Sequence, residues 1–300
     1  MRIAVPIGLL LIVPAFAFLQ TDEFRISTDV FNVLLDVSVR DAKGGYVSGL
    51  KKDDFLIEEN GVAQTISSFS SADVPVTVGL VMDDSGSMRP KRADVNSAGV
   101  EFAVASNPRD EVFVINFNDS VHVGLPPSTP FSGDTKVLAA ALSKDPPAGR
   151  TRLYDAIATA LDHLQMGTRD RKALVIVSDG GDNASQRQLP EIIRLIEESH
   201  ATIYTVGLFD PDDPDRNPRV LQRIASVSGG EAFLPQQLED VIPICRKIAD
   251  DIRNRYTIGY VPATGNSKGG LRKIHVSAMA ANHGRLIVLS RTSYLAPGHP

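Results

Sequence analysis

Asp83-Asp84-Ser85-Gly86-Ser87 puts two carboxylates and two hydroxyls into five residues, directly after the apolar run Val76 to Met82. Two later segments carry oxygen donors of the same kind. Thr151 stands in Gly149-Arg150-Thr151, just before a helical pattern that opens at Leu153, and Asp179 follows the apolar run Leu174 to Val177 in Ser178-Asp179-Gly180-Gly181-Asp182-Asn183. Carboxylate and hydroxyl oxygens are hard donors that suit Mg²⁺ or Ca²⁺ and suit zinc or copper poorly. Two serines two residues apart in a tight turn can both point inward, and Gly86 permits the backbone conformation that aims them. Of the candidate ligands Asp83, Ser85, Ser87, Thr151 and Asp179, only Asp83 and Asp179 are acidic. A divalent ion held there is not over-neutralised and can accept a further anion.

Nucleophilic catalysis by Ser85 or Ser87 is the competing chemistry. The loop lacks the G-x-S-x-G elbow of the α/β-hydrolases. His122, His163 and His200 fall in the same region, but none follows a strand end beside these loops. No catalytic residue is assigned on this reading, and a metal that only stiffens the domain stays open beside a metal that binds a partner. Asp182 and Asn183 read as a solvated turn and not as further ligands.

The elements that must position these residues follow from the hydrophobic periods. Strand-like runs at Val76 to Met82, Val112 to Phe117, Leu174 to Val177 and Ile203 to Leu208 alternate with helical patterns. Those patterns lie at Ala93 to Ala105, Thr135 to Ser143, Leu153 to Met166 and Pro190 to Ser199. Such alternation predicts a mostly parallel sheet with helices on its faces, and ligands of open sheets of this class sit at the carboxyl ends of the strands. Val121 to Leu125 follows Phe117 too closely for a crossover and predicts an antiparallel edge hairpin. Further helices are expected from about Arg219 to Val227 and from about Leu238 to Arg253, the last with Cys245 on its apolar face.

Both flanks read as β. Phe31, Val33, Leu35, Val37 and Val39 alternate with Asn32, Asp36, Ser38 and Arg40, and Asn60-Gly61 is a hairpin signal. Beyond the last helix, Tyr256 to Val261, the alternation Ile274, Val276, Ala278, and Leu286 to Leu289 are strand-like. Each flank is too small to hold a core alone. The expected fold is therefore α/β: a mostly parallel, doubly wound sheet inserted into a small β-sandwich made by the N- and C-terminal flanks. The corresponding division is 1–17 signal peptide, 18–72 N-terminal β segment, 73–255 α/β domain and 256–300 C-terminal β segment.

The whole chain of 300 residues carries a net charge of −5, so no basic field favours nucleic acid or an anionic membrane surface. Met1-Arg2, the apolar stretch Ile3 to Phe18 and Ala15-Phe16-Ala17 read as a cleavable export signal, with a retained anchor as the alternative. A secreted, periplasmic or cell-surface location follows, without membrane insertion beyond that segment. Cys245 is the single cysteine, so no intramolecular disulfide forms.

At these residues the chain resembles the von Willebrand factor type A family, which includes the integrin I domains. Asp83, Ser85 and Ser87 match the D-x-S-x-S loop of the family's metal-ion-dependent adhesion site, Thr151 its threonine and Asp179 its later aspartate. The likeness spans roughly Pro75 to Arg253. Thr28 to Phe69 and Tyr256 to Tyr294 resemble the β segments bracketing this domain in exported bacterial type A-related proteins, through Val47-Ser48-Gly49-Leu50, Asp53-Asp54-Phe55 and Tyr256-x-x-Gly259-Tyr260. The resemblance implies Mg²⁺, or Mn²⁺ or Ca²⁺, with Ser85 and Ser87 as direct ligands and Asp83 acting largely through water. Thr151 and Asp179 are then the pair that exchanges roles. It further implies a protein partner offering an Asp or Glu carboxylate, an adhesive function and no enzymatic one. Two positions depart from the common pattern. Asp84 adds a negative charge beside the first loop, and Arg150 replaces a frequent glycine; Arg150 and Arg152 either weaken the metal or help hold the incoming carboxylate. The last helix occupies the place of the one that shifts in switching members.

Overall fold

The computed structural model describes residues 32–144, 146–210, 215–263, 269–281 and 283–297. The export-signal reading of residues 1–17 lies outside them. The N-terminal flank forms β1 (Val33–Arg40), β2 (Phe55–Glu59), β3 (Val62–Gln64) and β4 (Ile66–Ser70). The α/β region follows as β5 (Val76–Asp83), α1 (Arg92–Ala105), β6 (Glu111–Phe117), β7 (Val121–Val123), α2 (Thr135–Leu142) and α3 (Leu153–Leu164). It continues with β8 (Arg171–Ser178), α4 (Leu189–Glu198), β9 (Thr202–Gly207), α5 (Pro218–Ser228), β10 (Ala232–Phe233) and α6 (Val241–Arg253). The C-terminal flank gives β11 (Tyr256–Tyr260), β12 (Gly270–Ala278), β13 (Ile287–Leu289) and β14 (Ser293–Ala296).

Six strands make the central sheet in the order β10-β9-β8-β5-β6-β7. All its pairings are parallel except β6 with β7, the expected edge hairpin. Every residue of β5 is buried, as an apolar run covered on both faces must be. From β5 the chain moves outward to β6 on one side and then crosses to β8 on the other. Right-handed crossovers in opposite directions place helices on both faces: α1 packs with α2 and α6, α3 with α4, and α4 with α5. The reversal of strand order falls at β5, so the ends of β5 and β8 open the crevice where such sheets bind ligands.

The flanks pair with each other, in two sheets and not one continuous sheet. One runs β13-β1-β11-β4 and the other β14-β12-β2-β3, each mixing strands from both ends of the chain. Their inner faces share one core, with Val33, Leu35, Val37, Ile258 and Tyr260 from the first and Ile57, Ile274, Val276 and Tyr294 from the second. Phe55, Phe69 and Tyr256 pack within it at ring separations of 5.2 to 5.7 Å. Asn60 and Gly61 turn β2 into β3 with φ of 50° and 80°.

One expectation fails on β1. The alternation along β1 predicts a half-buried strand, yet Ser38 and Arg40 on its polar face are buried too. The α/β region covers them. Asp251 of α6, fully buried, accepts hydrogen bonds from Ser38 Oγ (2.5 Å), Arg40 Nη2 (3.1 Å), Tyr204 Oη (2.5 Å) and Arg255 Nη2 (2.9 Å). Arg255 also donates to the carbonyls of Asp36 and Gly229 at 3.0 and 2.9 Å. Polar residues that alternate with a hydrophobic face mark solvent only when no second layer covers them.

Cys245 is 2% exposed in α6, and burial pushes its thiol up to about 12, which is core behaviour. Among the described residues no helix is long and apolar enough to cross a membrane.

Candidate metal centre

Register places the first two groups. Met82 of β5 pairs with Val177 of β8, so Asp83 and Ser178 come next side by side, and Ser178 Oγ donates to Asp83 Oδ2 at 2.6 Å. The other oxygen, Oδ1, accepts from the Ser85 N–H at 2.9 Å, closing the turn that follows the strand. The chain then enters a 3-10 turn over Gly86–Lys91, which carries Ser87 toward β8. Ser85 Oγ and Ser87 Oγ stand 3.2 Å apart, and Ser87 Oγ donates to Asp179 Oδ2 at 2.5 Å. Asp83, Ser85, Ser87 and Asp179 thus form one cluster at the carboxyl ends of two adjacent central strands. Asp83, Ser85 and Asp179 are at most 2% exposed.

Thr151 is brought alongside through its backbone. Gly149 O accepts from Gly86 N–H at 3.1 Å and Ala148 N–H donates to Asp84 O at 2.8 Å, which ties the second loop to the first. Thr151 N–H donates to Asn183 Oδ1 at 2.9 Å, while its carbonyl accepts from the Asn183 and Ala184 N–H groups at 3.1 Å each. The same segment stitches the third loop to α3, since Tyr154 N–H donates to Asp182 Oδ2 at 2.9 Å. Asp182 and Asn183 are therefore more than a solvated turn: they position Thr151 and cap the helix behind it.

Two glycines are required by close approach. Gly149 adopts φ +80°, and a Cβ there would meet Asp119 Oδ2. Gly180 adopts φ +78°, and its Cβ would lie 2.5 Å from the Asn217 carbonyl. Both conformations belong to the left-handed region that side chains disfavour.

The charges around the cluster differ from the sequence expectation. Asp84 does not stand as a free negative charge beside the loop; its carboxylate is 1% exposed and ion-paired with Arg92 at the start of α1. Arg150 lies exposed at the rim, with Nε 3.2 Å from Asp119 Oδ1. Arg152 is half-buried and turns toward α3, 3.7 Å from Asp155 Oδ2. Arg92 and Asp119 were not singled out from sequence, Ser178 was quoted only as part of its loop, and Asn183 was read only as part of a turn. Only Ser178 carried a readable signal, as a hydroxyl at a strand end beside Asp179.

Burial, and next the charge of Asp179, raise the Asp83 carboxyl to about 7, against the pull of its hydrogen bonds from Ser178 and Ser85. Two buried carboxylates close enough for the charge of one to raise the other, with hydroxyl and amide donors on them, are what a divalent cation relieves. The donor set fits a hard cation. Among the described residues no group of three or more His, Cys, Asp and Glu is disposed for a metal, so any ion here relies on hydroxyl oxygens as well as on the two acids. His163 lies elsewhere, packed at a tilt against Phe113 at 4.3 Å with Nε2 3.0 Å from the Pro130 carbonyl. His122 is 2.6 Å from Ser120 Oγ.

Residues 78–181, which span all five candidate ligands, match the von Willebrand factor type A domain. The fold is shared with a von Willebrand factor type A protein from Catenulispora acidiphila, at 14% identity and TM-score 0.53 over 81% of this chain and 72% of that one. The vWF domain of the type V pili tip protein Mfa5 from Porphyromonas gingivalis matches at 14% identity and TM-score 0.52, over 60% of this chain and 96% of that one. Proximal thread matrix protein 1 from the mussel byssus, solved with zinc in its MIDAS motif, matches at 14% identity and TM-score 0.52, over 63% and 48%. No curated protein matches the sequence. The central layer has the fold of these type A domains, and the sequence match to the family lies within it, over residues 78–181. Beside that layer the two β flanks close into a sandwich.

Proposed function

We propose that the protein is an exported, metal-dependent adhesion module. Asp83, Ser85, Ser87, Thr151 and Asp179 hold one divalent cation, Mg²⁺ or else Mn²⁺ or Ca²⁺. When bound, that ion supplies a Lewis-acidic position for a carboxylate of a protein partner. Arg150, exposed beside Thr151, faces the incoming acid, and Arg152 steadies the start of α3 behind it. The reading is carried by the hydrogen-bonded cluster Asp83–Ser85–Ser87–Asp179 at the switch point of the sheet. It assigns no enzymatic step and no nucleic-acid partner. The division into a signal over 1–17, β segments over 18–72 and 256–300, and a type A domain over 73–255 belongs to the same proposal.

A purely stabilising metal is less favoured, because the three loops are already joined by their own backbone. The bonds Gly86 N–H to Gly149 O, Ala148 N–H to Asp84 O and Asn183 N–H to Thr151 O hold them without an ion. The test uses Mn²⁺ as the ion and acetate as the probe. Water-proton relaxation enhancement by protein-bound Mn²⁺ falls as acetate enters, and falls less in Arg150→Ala. An enhancement that acetate never changes contradicts the open position.

A further inference from the structure

Asp84 lies between two candidate ligands in sequence, yet its side chain points away from them into the protein. Its carboxylate is 1% exposed and meets the Arg92 guanidinium, itself only 11% exposed. Its backbone is equally committed: Asp84 N–H donates to Phe117 O at 2.7 Å, at the end of β6, and Asp84 O accepts from Ala148 N–H at 2.8 Å. Arg92 in turn donates through Nη2 to the Leu142 carbonyl at 2.5 Å, at the end of α2. One residue thus joins the first loop to β6, to the Thr151 loop, to α1 and, through Arg92, to α2.

We propose that the Asp84–Arg92 ion pair is the positioning and charge-setting element of the metal centre: it orients Asp83 and Ser85 and cancels a third carboxylate that would otherwise count toward the ion. The inference rests on the metal reading above. Its physical content is a sign. A buried charge on the residue between two ligands is poorly screened from the ion they hold. Removing the carboxylate makes the local charge one unit more positive, which repels the ion. Removing the guanidinium leaves an uncompensated carboxylate that attracts it, and the stronger neutralisation makes the ion a poorer acceptor for an outside carboxylate. With both removed, the local charge returns to that of the native pair.

Calorimetric titration with Mn²⁺ of the full chain, the wild type against Asp84→Asn, Arg92→Gln, Arg92→Lys and the double variant Asp84→Asn/Arg92→Gln, tests this. Asp84→Asn is expected to weaken Mn²⁺ binding by about tenfold or more, from an unscreened charge at close range. Arg92→Gln is expected to strengthen it, Arg92→Lys to leave it within about threefold, and the double variant to return it to near the wild-type value. Acetate affinity of the Mn²⁺ form should fall in Arg92→Gln. Circular dichroism in chelator separates loss of folding from loss of the ion, and the near-isosteric Asp84→Asn and charge-conserving Arg92→Lys keep the comparison alive if Arg92→Gln does not fold. A double variant no better than Asp84→Asn, or an Asp84→Asn titration equal to wild type, overturns the charge role. A wild type that binds no Mn²⁺ overturns this inference and the metal reading together, whereas wild-type binding with no effect of these variants overturns this inference alone.

Discussion

Ser87 Oγ donates to Asp179 Oδ2 at 2.5 Å, joining a residue just after β5 to a residue just after β8 across 92 positions of chain. This bond is the structural sign that the two strand-end loops form one site. In Ser87→Ala the bond is lost, and Mn²⁺ affinity should fall while the far-ultraviolet circular dichroism stays that of the wild type. Unchanged Mn²⁺ binding in that variant would remove Ser87 from the ligand set.

Gly149→Ala combines a disfavoured φ of +80° with a collision against Asp119. It should cost about 1–3 kcal/mol of stability and displace the loop that carries Thr151. Chemical denaturation and a Mn²⁺ titration on the same variant check both halves. Asp119→Ala in the same background should restore part of the loss, because it removes the collision and leaves only the backbone strain.

The Asp251 network predicts a pH dependence far from the metal. Burial alone would raise the Asp251 carboxyl, but the Arg255 charge, the hydrogen bonds from Ser38 and Tyr204 and the Arg40 charge outweigh it and hold the group well below the usual carboxylate range. A depressed folded-state value means that the unfolded chain binds the proton first. The stabilisation is therefore complete above the unfolded value, about 4, and is lost as pH falls below it. Asp251→Asn should lower stability by about 3–5 kcal/mol at neutral pH, since it takes the paired carboxylate from the buried Arg255, and should flatten the acid limb of a stability–pH curve. An acid limb of the same slope in the variant would show that other carboxylates set it.

Cys245 should resist thiol reagents in the native protein, being buried with its thiol raised to about 12. Labelling with a maleimide is expected to track global unfolding in urea. Rapid labelling in buffer would place Cys245 in a segment that opens locally.

Much of this was legible in the chain because local signals and tertiary placement agree. The unbroken burial of Val76–Asp83 matches an apolar run that has no solvent face, and loops after such strands were enough to nominate Asp83, Ser85, Ser87 and Asp179. The alternation of Val33, Leu35 and Val37 gave the inner face of β1 correctly. What stayed hidden depends on partners distant in sequence. Asp84 looks like surplus negative charge until Arg92 is seen against it. Ser38 and Arg40 look solvent-facing until Asp251, more than 200 residues later, is seen to cover them. The two-residue β10 carries too few side chains for any period, and exists because the backbone of Ala232 and Phe233 can extend the sheet beside β9.

The central claim is that the cluster at the ends of β5 and β8 holds a divalent cation, and calorimetry with Mg²⁺ on wild type and Ser85→Ala tests it most directly. Ser85 is 1% exposed, and its hydroxyl contributes about 1 kcal/mol at most to the fold, so both proteins should unfold at nearly the same denaturant concentration in chelator. Wild type is expected to titrate with one equivalent of Mg²⁺, and Ser85→Ala to bind it markedly more weakly. Superimposable titration curves for the two folded proteins would contradict the account.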